Sequence, residues 1–414
     1  MKERAQNAIE RTSNLINQFG PRLTTSEPCN KTADALFKEF ENNCDHAFSK
    51  EFLTQPNGIT SFLKWMSVMY YLSLAMLWLH LPQLSLVFIL FSMILFIFEY
   101  ILYFRIIDDL YPSKPAHNVY GVIEPTCDVK NIIIFSGHHD SAHIFNFYVD
   151  FPSLYMVREV IFVLVQLSHL ACIIFLNVVK MRNGTFFEID NELTNTYIWI
   201  RNIYTFCIIF VIPFWFYVNE KGTPGAGDNL ISSSMAVELT NYYKEHKDSL
   251  KHTKLYFVSF DAEEIALRGS RAFYSVHKKE FNEVKTWNFN VDCPYFVDEL
   301  KFLTSDINGL QKLSSRLVNK IVEISHNLGY KRAHPKPLMF MTGGTDAAEA
   351  ARVGIEATTL LGIPFSNKDC HGRDVVYHTG KDTIDAVEPE IVVATLEIFT
   401  KFVEEVDNGN FPTK

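Results

Sequence analysis

Five short segments carry side chains able to bind metal and move protons: Gly137-His138-His139-Asp140-Ser141, Gly225-Ala226-Gly227-Asp228-Asn229, Asp261-Ala262-Glu263-Glu264, Asn290-Val291-Asp292 and Tyr377-His378-Thr379. Imidazole and carboxylate are the borderline-hard donors that suit zinc. A catalytic zinc takes three protein ligands and leaves a position open, so a donor set of this size points to two ions rather than one. The chemistry expected of it is metal-assisted hydrolysis. The adjacent carboxylates Glu263 and Glu264 would repel each other at neutral pH without local positive charge, which two cations would provide.

The order and context of these segments resemble the co-catalytic di-zinc aminopeptidase family that includes glutamate carboxypeptidase and the transferrin-receptor ectodomain. That family carries His-x-Asp, Gly-Ala-x-Asp, Glu-Glu, Asn-x-Asp and His-Thr in this order. The likeness extends to Asn118-Val119-Tyr120-Gly121, to Leu267-Arg268-Gly269-Ser270 and to His378-Thr379-Gly380-Lys381-Asp382-Thr383. Phe19 to Thr24 and the Ala-containing helix that follows are similar to the N-terminal segment of bacterial members.

The resemblance implies a role for each residue. His138 and Asp292 would hold one zinc, Glu264 and His378 the other, and Asp228 would bridge both. Asp140 would orient the His138 ring and raise its basicity. Glu263 would stay free as the general base that takes a proton from metal-bound water. Asp228 could also cap the helix that follows it, and the two roles are compatible. His371 competes with His378 for the last ligand position, but the Tyr-His-Thr-x-x-Asp-Thr context belongs to His378. His139 and His143 are read as bystanders. The family further implies an exopeptidase acting on peptides with a free N-terminus. Glutaminyl cyclases of the same fold, which hold one zinc and do not hydrolyse, are the nearest alternative. Receptor-like relatives that have lost ligands are another, although no ligand is missing here.

The elements that must position these residues alternate. Asn131 to Ser136, Lys254 to Phe260, Trp287 to Val291 and Ala357 to Leu361 read as short buried strands; Ser232 to Glu245, Asn308 to Leu328 and Pro389 to Val406 read as helices. The expectation is an α/β fold with a mixed, largely parallel sheet flanked by helices. The motifs at His138, Glu263/Glu264 and Asp292 directly follow strands, where open α/β sheets place their ligands.

The chain has 414 residues, 48% of them hydrophobic, with 35 phenylalanines. Trp65 to Leu81, Leu84 to Phe104, Val160 to Val179 and Tyr197 to Val218 are long apolar runs. About 20 residues of helix cross a hydrocarbon core, so four transmembrane helices are expected, paired into two hairpins. The catalytic domain would then be discontinuous, residues 1–58, 114–150 and 219–414, with hairpins inserted at 59–113 and 151–218. A transporter would need polar groups converging at mid-membrane, for which Glu99, His169 and Arg201 are the candidates.

Other signals narrow the reading. Met1 to Phe19 is polar and amphipathic, so no secretory signal peptide is expected there. Seven scattered cysteines, Cys172 and Cys207 within apolar runs, do not suggest a disulfide framework. A net charge of −9 without a basic stripe argues against nucleic-acid binding. The lipid bilayer is the partner expected besides peptide; the sequence does not fix the oligomeric state. Asn30-Lys31-Thr32 and Asn183-Gly184-Thr185 match glycosylation acceptors, a pattern common by chance.

Lys50, Lys64, Arg105, Lys114, Arg158 and Lys221 flank the runs on the domain side, against Lys180 and Arg182 opposite, which predicts a cytoplasmic catalytic domain. Because the second hairpin lies between His138 and Asp228, the cleft is expected to open toward the bilayer surface. A cysteine placed in the 183–195 loop should therefore react with an impermeant maleimide on intact cells, and one in the 407–414 tail should not. The reverse pattern would invert the topology.

Overall fold

The computed structural model describes residues 1–187 and 194–411. Residues 188–193 and 412–414, which include several of the labelling positions named above, lie outside the described residues. The chain divides into two compact units: Met1–Pro56, Pro112–Ile144 and Glu220–Lys414 form one, Asn57–Tyr111 and Phe145–Asn219 the other.

The first unit is built on a nine-stranded sheet. Its strands are β1 (His46–Thr54), β2 (Lys114–Ile123), β3 (Asn131–His138), β4 (Thr253–Phe260), β5 (Lys285–Asp292), β6 (Lys301–Asp306), β7 (Gln311–Lys312), β8 (His334–Pro337) and β9 (Glu356–Leu361). They lie in the order β1-β2-β4-β3-β5-β9-β6-β8, with β7 paired to β6. The four central strands β4, β3, β5 and β9 run parallel. The pairs β1/β2, β2/β4, β9/β6 and β6/β7 are antiparallel. The expected mixed, largely parallel sheet with flanking helices is thus found.

Strand alternation sorts the side chains onto two faces. Phe135, Phe257 and Phe289 are in register across β3, β4 and β5, and Phe399 of the Pro389–Asp407 helix packs edge-on against Phe135 at 5.0 Å. On this same face a Cβ at Gly137 would meet the Ser232 hydroxyl at 2.0 Å, so glycine is what lets the Ile231–Glu245 helix approach β3. Tyr256 points the other way and meets Phe273 of the Arg268–Glu283 helix. Helices therefore cover both faces, and the parallel strands are buried along their length.

Two expectations change. The helix read from Asn308 begins only at Ser315, because Ile307, Asn308 and Gly309 turn through positive φ, Gln311–Lys312 pairs with β6, and the Ser314 hydroxyl caps the helix at the Leu317 N–H. The antiparallel strands β1, β2 and β6, together with the short parallel edge strand β8, extend the sheet beyond the four strands read from sequence.

Among the described residues of the second unit, three helices are long and apolar enough to cross a membrane: Pro82–Ile101, Pro152–Arg182 and Asn195–Phe216. The fourth apolar run does form a helix, Gly58–Trp78, but Lys64, Ser67, Tyr70, Tyr71 and Ser73 lower its apolar character and it is not among them. Within this unit the three polar residues singled out above are engaged separately. Glu99 accepts the backbone N–H of Ile107 at 2.8 Å, the His169 ring stacks on Tyr204 at 4.5 Å, and Arg201 lies 3.8 Å over Trp78.

Candidate metal centre

Three strand ends deliver the first donors. His138 is the last residue of β3, Asp292 the last of β5, and Glu263 and Glu264 follow β4 after a short turn. Asp228 lies in the tight Ala226–Leu230 turn before the Ile231–Glu245 helix, and His378 lies in the segment preceding the Pro389–Asp407 helix. These segments, distant in sequence, converge. His138 Nε2 lies 3.4 Å from Asp228, 3.7 Å from Glu263 and 3.8 Å from Asp292. His378 Nε2 lies 3.2 Å from Asp228 and 3.4 Å from Glu264.

The donor atoms fall into overlapping three-residue groups. His138, Asp228 and Asp292 form one; Asp228, Glu264 and His378 form another; Asp228 belongs to both. Glu263 joins His138 and Glu264 in a third group that excludes Asp228. His138 Nε2, Asp228 Oδ2, Glu264 Oε1 and Asp292 Oδ1 are buried without a hydrogen-bond partner. Buried polar atoms are normally satisfied. Their clustering here, on imidazole and carboxylate donors, fits zinc.

Asp140 takes no place in these groups. Its carboxylate faces His138 Nδ1 at 3.3 Å and accepts the Thr24 hydroxyl at 2.7 Å and the N–H groups of Glu263 and Glu264 at 3.3 and 3.2 Å. One carboxylate thus fixes both the His138 ring and the turn that carries the paired glutamates. Asp228 is not a helix cap: the helix starts at Ile231 without a side-chain cap, and the Asp228 N–H donates to Asp382. His371 lies apart, bonded to Asp298 at 2.7 Å. His139 is buried with Nδ1 2.8 Å from the Ser259 hydroxyl, and His143 is half-buried; neither joins the cluster.

Sequence reasoning gave no role to several residues that hold this arrangement. Asp382 accepts the N–H groups of Gly227 and Asp228, fixing the turn of the central donor. The guanidinium of Arg22, fully buried, donates to the carbonyls of His139, Pro224 and Gly225 and so ties the His138 segment to the Asp228 segment. Asp346 is buried close enough to Glu263 to raise its carboxyl, and burial pushes Asp346 itself up to about 8. Asp382 lay within a quoted motif. Arg22 lay within the quoted Phe19 to Thr24 segment, which gave it no role, and Asp346 sits in a segment with no periodicity that would mark it.

Backbone geometry adds a further mark. Ala262, Cys293 and His378 have φ of 61°, 45° and 53°, each at or beside a donor. Non-glycine residues in this region cost about 1–3 kcal/mol and cluster at functional sites.

The electrostatics are those of acids buried together. Burial, then the neighbouring Asp228, pushes Glu264 up to about 7. Burial raises Glu263 well above the carboxylate range, reinforced by Asp292 against the opposing His138. Burial would lower His378, but Glu264 and Asp228 outweigh it and hold the ring at about 10. Burial likewise opposes a charged His138, and Glu263, Asp140 and Asp228 reverse the sign. Without metal, protonated imidazoles supply the positive charge that the carboxylates require.

Residues 214–403 match the model of peptidase family M28, a span that takes in Asp228, Glu263, Glu264, Asp292 and His378 and begins after His138 and Asp140. No curated protein matches. Among solved structures, a Zn-dependent exopeptidase from Parabacteroides distasonis is 12% identical with a TM-score of 0.54, covering 96% of this chain and 97% of that one. The zinc aminopeptidase BSAP from Bacillus subtilis is 12% identical with a TM-score of 0.54, covering 97% and 95%. A glutaminyl cyclase from an Acidobacteriales bacterium is 12% identical with a TM-score of 0.56, covering 98% and 94%. At this identity the likeness is one of fold.

Because both histidines hold protons at neutral pH in the metal-free state, zinc must displace them. Zinc uptake should release protons and weaken as pH falls, and Asp228→Asn should lose metal. Titration calorimetry at pH 7 in buffers of different ionisation enthalpy measures the release; an enthalpy independent of buffer would contradict it.

Proposed function

We propose, on the match of residues 214–403 to peptidase family M28, a membrane-bound, two-zinc aminopeptidase that removes N-terminal residues from peptides. The observation that carries this reading is the pair of three-donor groups sharing Asp228. His138 and Asp292 would hold one ion, Glu264 and His378 the other, with Asp228 between them. Two zinc ions supply the Lewis acidity that polarises the scissile carbonyl and acidifies the attacking water.

The remaining work belongs to side chains. Glu263, buried beside His138 but outside the groups that share Asp228, takes the proton of the attacking water and delivers it to the leaving amine. Its raised affinity for a proton suits a group that must hold one between these steps. Asp140 holds the His138 ring from its Nδ1 side, which orients Nε2 toward Asp228 and Asp292. Tyr377 stacks on the His378 ring at 3.8 Å and fixes its plane.

Membrane attachment rests on the three apolar helices, and the helix Gly58–Trp78 would complete two hairpins. The distribution of lysine and arginine supports a cytoplasmic catalytic unit. The glutaminyl cyclase alternative shares the fold, but a second complete donor group is more than a one-zinc enzyme uses.

Glu263→Gln should lower kcat on the order of 10²- to 10⁴-fold while metal analysis finds the same zinc content as in the unsubstituted chain. Full turnover by this variant would remove Glu263 from the mechanism. Peptides with a free α-amino group should be cleaved and their acetylated counterparts should not, since acetylation removes a charge and adds bulk at the reacting end. Comparable rates on both would indicate an endopeptidase, and cyclisation of N-terminal glutamine without hydrolysis would indicate the cyclase.

A further inference from the structure

The geometry points to a third zinc site, exposed and separate from the catalytic donors, formed by Asp298, Cys370 and His371. One donor atom of each lies within 4.8 Å of the others. His371 Nε2 is 2.7 Å from Asp298 Oδ2, and both side chains are open to solvent, 53% and 36% exposed. Cys370 is a free, exposed thiol. An ion can therefore arrive and leave without the protein opening, and solvent can supply the fourth ligand of a tetrahedral zinc.

The donor set decides the metal. Exposed carboxylates alone hold divalent cations weakly and without preference, whereas sulfur and imidazole beside a carboxylate select zinc over magnesium and calcium. The two neighbouring donors are held in place from below. The Cys370 N–H donates to Glu299 at 3.0 Å, and Asp369 accepts the N–H groups of His371 and Arg373 at 3.0 and 2.7 Å. Lys368 and Asp374 bridge across the base of this small loop. Arg332, 3.3 Å from Asp298, supplies the cation that zinc would replace.

On binding, the Cys370 S–H bond breaks, its proton passes to solvent, and the sulfur electron pair forms the S–Zn bond. His371 contributes the lone pair of a neutral ring, and nothing is oxidised or reduced. The site joins the segment that follows Asp292 to the one that precedes His378, so an ion here fastens together two stretches of chain that each carry a catalytic donor. The buried group Cys29, His139 and Asp261 has the same donor types. There the thiol already faces the Asp261 carboxylate at 3.4 Å and the site is closed to solvent.

Cobalt(II) tests the site directly, because none of the catalytic donors is sulfur. The full chain in detergent, titrated with cobalt, should develop a near-ultraviolet sulfur-to-cobalt charge-transfer band that added zinc abolishes. Cys370→Ser should remove the band and Cys29→Ser should retain it. His371→Asn should weaken cobalt binding by about tenfold or more. The band reports on thiolate alone, so it is read independently of whether the catalytic pair loads or turns over. Absence of the band, or its persistence in Cys370→Ser, would overturn the proposal.

Discussion

Asp228, Glu263 and Asp292 are buried around the His138 ring, each within 4 Å of its Nε2, and the partly buried Glu264 joins Asp228 at the His378 ring. Two like charges about 4 Å apart repel by about 4 kcal/mol even at an effective dielectric near 20. A domain has only about 5–15 kcal/mol of net stability, so several such repulsions could not be left uncompensated. The geometry of the centre follows from this constraint. Histidine rings stand against Asp228 from two sides, and the acids next to them are pushed toward their neutral forms. Cations resolve the conflict best, and a fold that concentrates these acids is organised around receiving them.

Asp140 escapes the conflict by a different route. It is as buried as the others yet held below the ordinary carboxylate range, because the His138 ring and the Thr24 hydroxyl outweigh burial, and the Glu263 and Glu264 N–H groups add further donors. Such an anion is a strut. It fixes a ring on one strand end and a turn on the next, so that their spacing is set by hydrogen bonds rather than by the metals. Asp382 serves the Asp228 turn in the same way through two N–H groups. Arg22 completes the frame by crossing from one turn to the other through carbonyl oxygens.

How much of this was legible in the sequence depended on locality. His138, Glu263, Glu264 and Asp292 stand at or just beyond the carboxyl ends of Val/Ile/Phe-rich runs, so strand and donor were read together. The antiparallel additions to the sheet were not, since Lys114–Ile123 begins with Lys-Pro-Ala-His and pairs on both sides only through contacts remote in sequence. Asp346 precedes a short alanine-rich helix, and its side chain makes no capping bond there. Arg22 is a single basic residue after Gly-Pro, and nothing local signals that a guanidinium there will be buried. The Gly58–Trp78 run is the intermediate case: it forms a helix of the expected length, but Lys64 and its tyrosines and serines dilute its apolar character.

The strand order also sets when the catalytic unit can exist during synthesis. β2 and β3 are not neighbours; β4 lies between them, and β4 begins at Thr253. Until that strand leaves the ribosome, the centre of the sheet has a vacancy, and β3 holds His138 on an unpaired edge. By then the chain has already emitted the apolar helices Pro82–Ile101, Pro152–Arg182 and Asn195–Phe216. At about 5–20 residues per second, those helices have many seconds to find their surroundings before the sheet can close. The order of the strands thus makes the apolar unit the earlier to form and metal binding a late event in the life of each new chain.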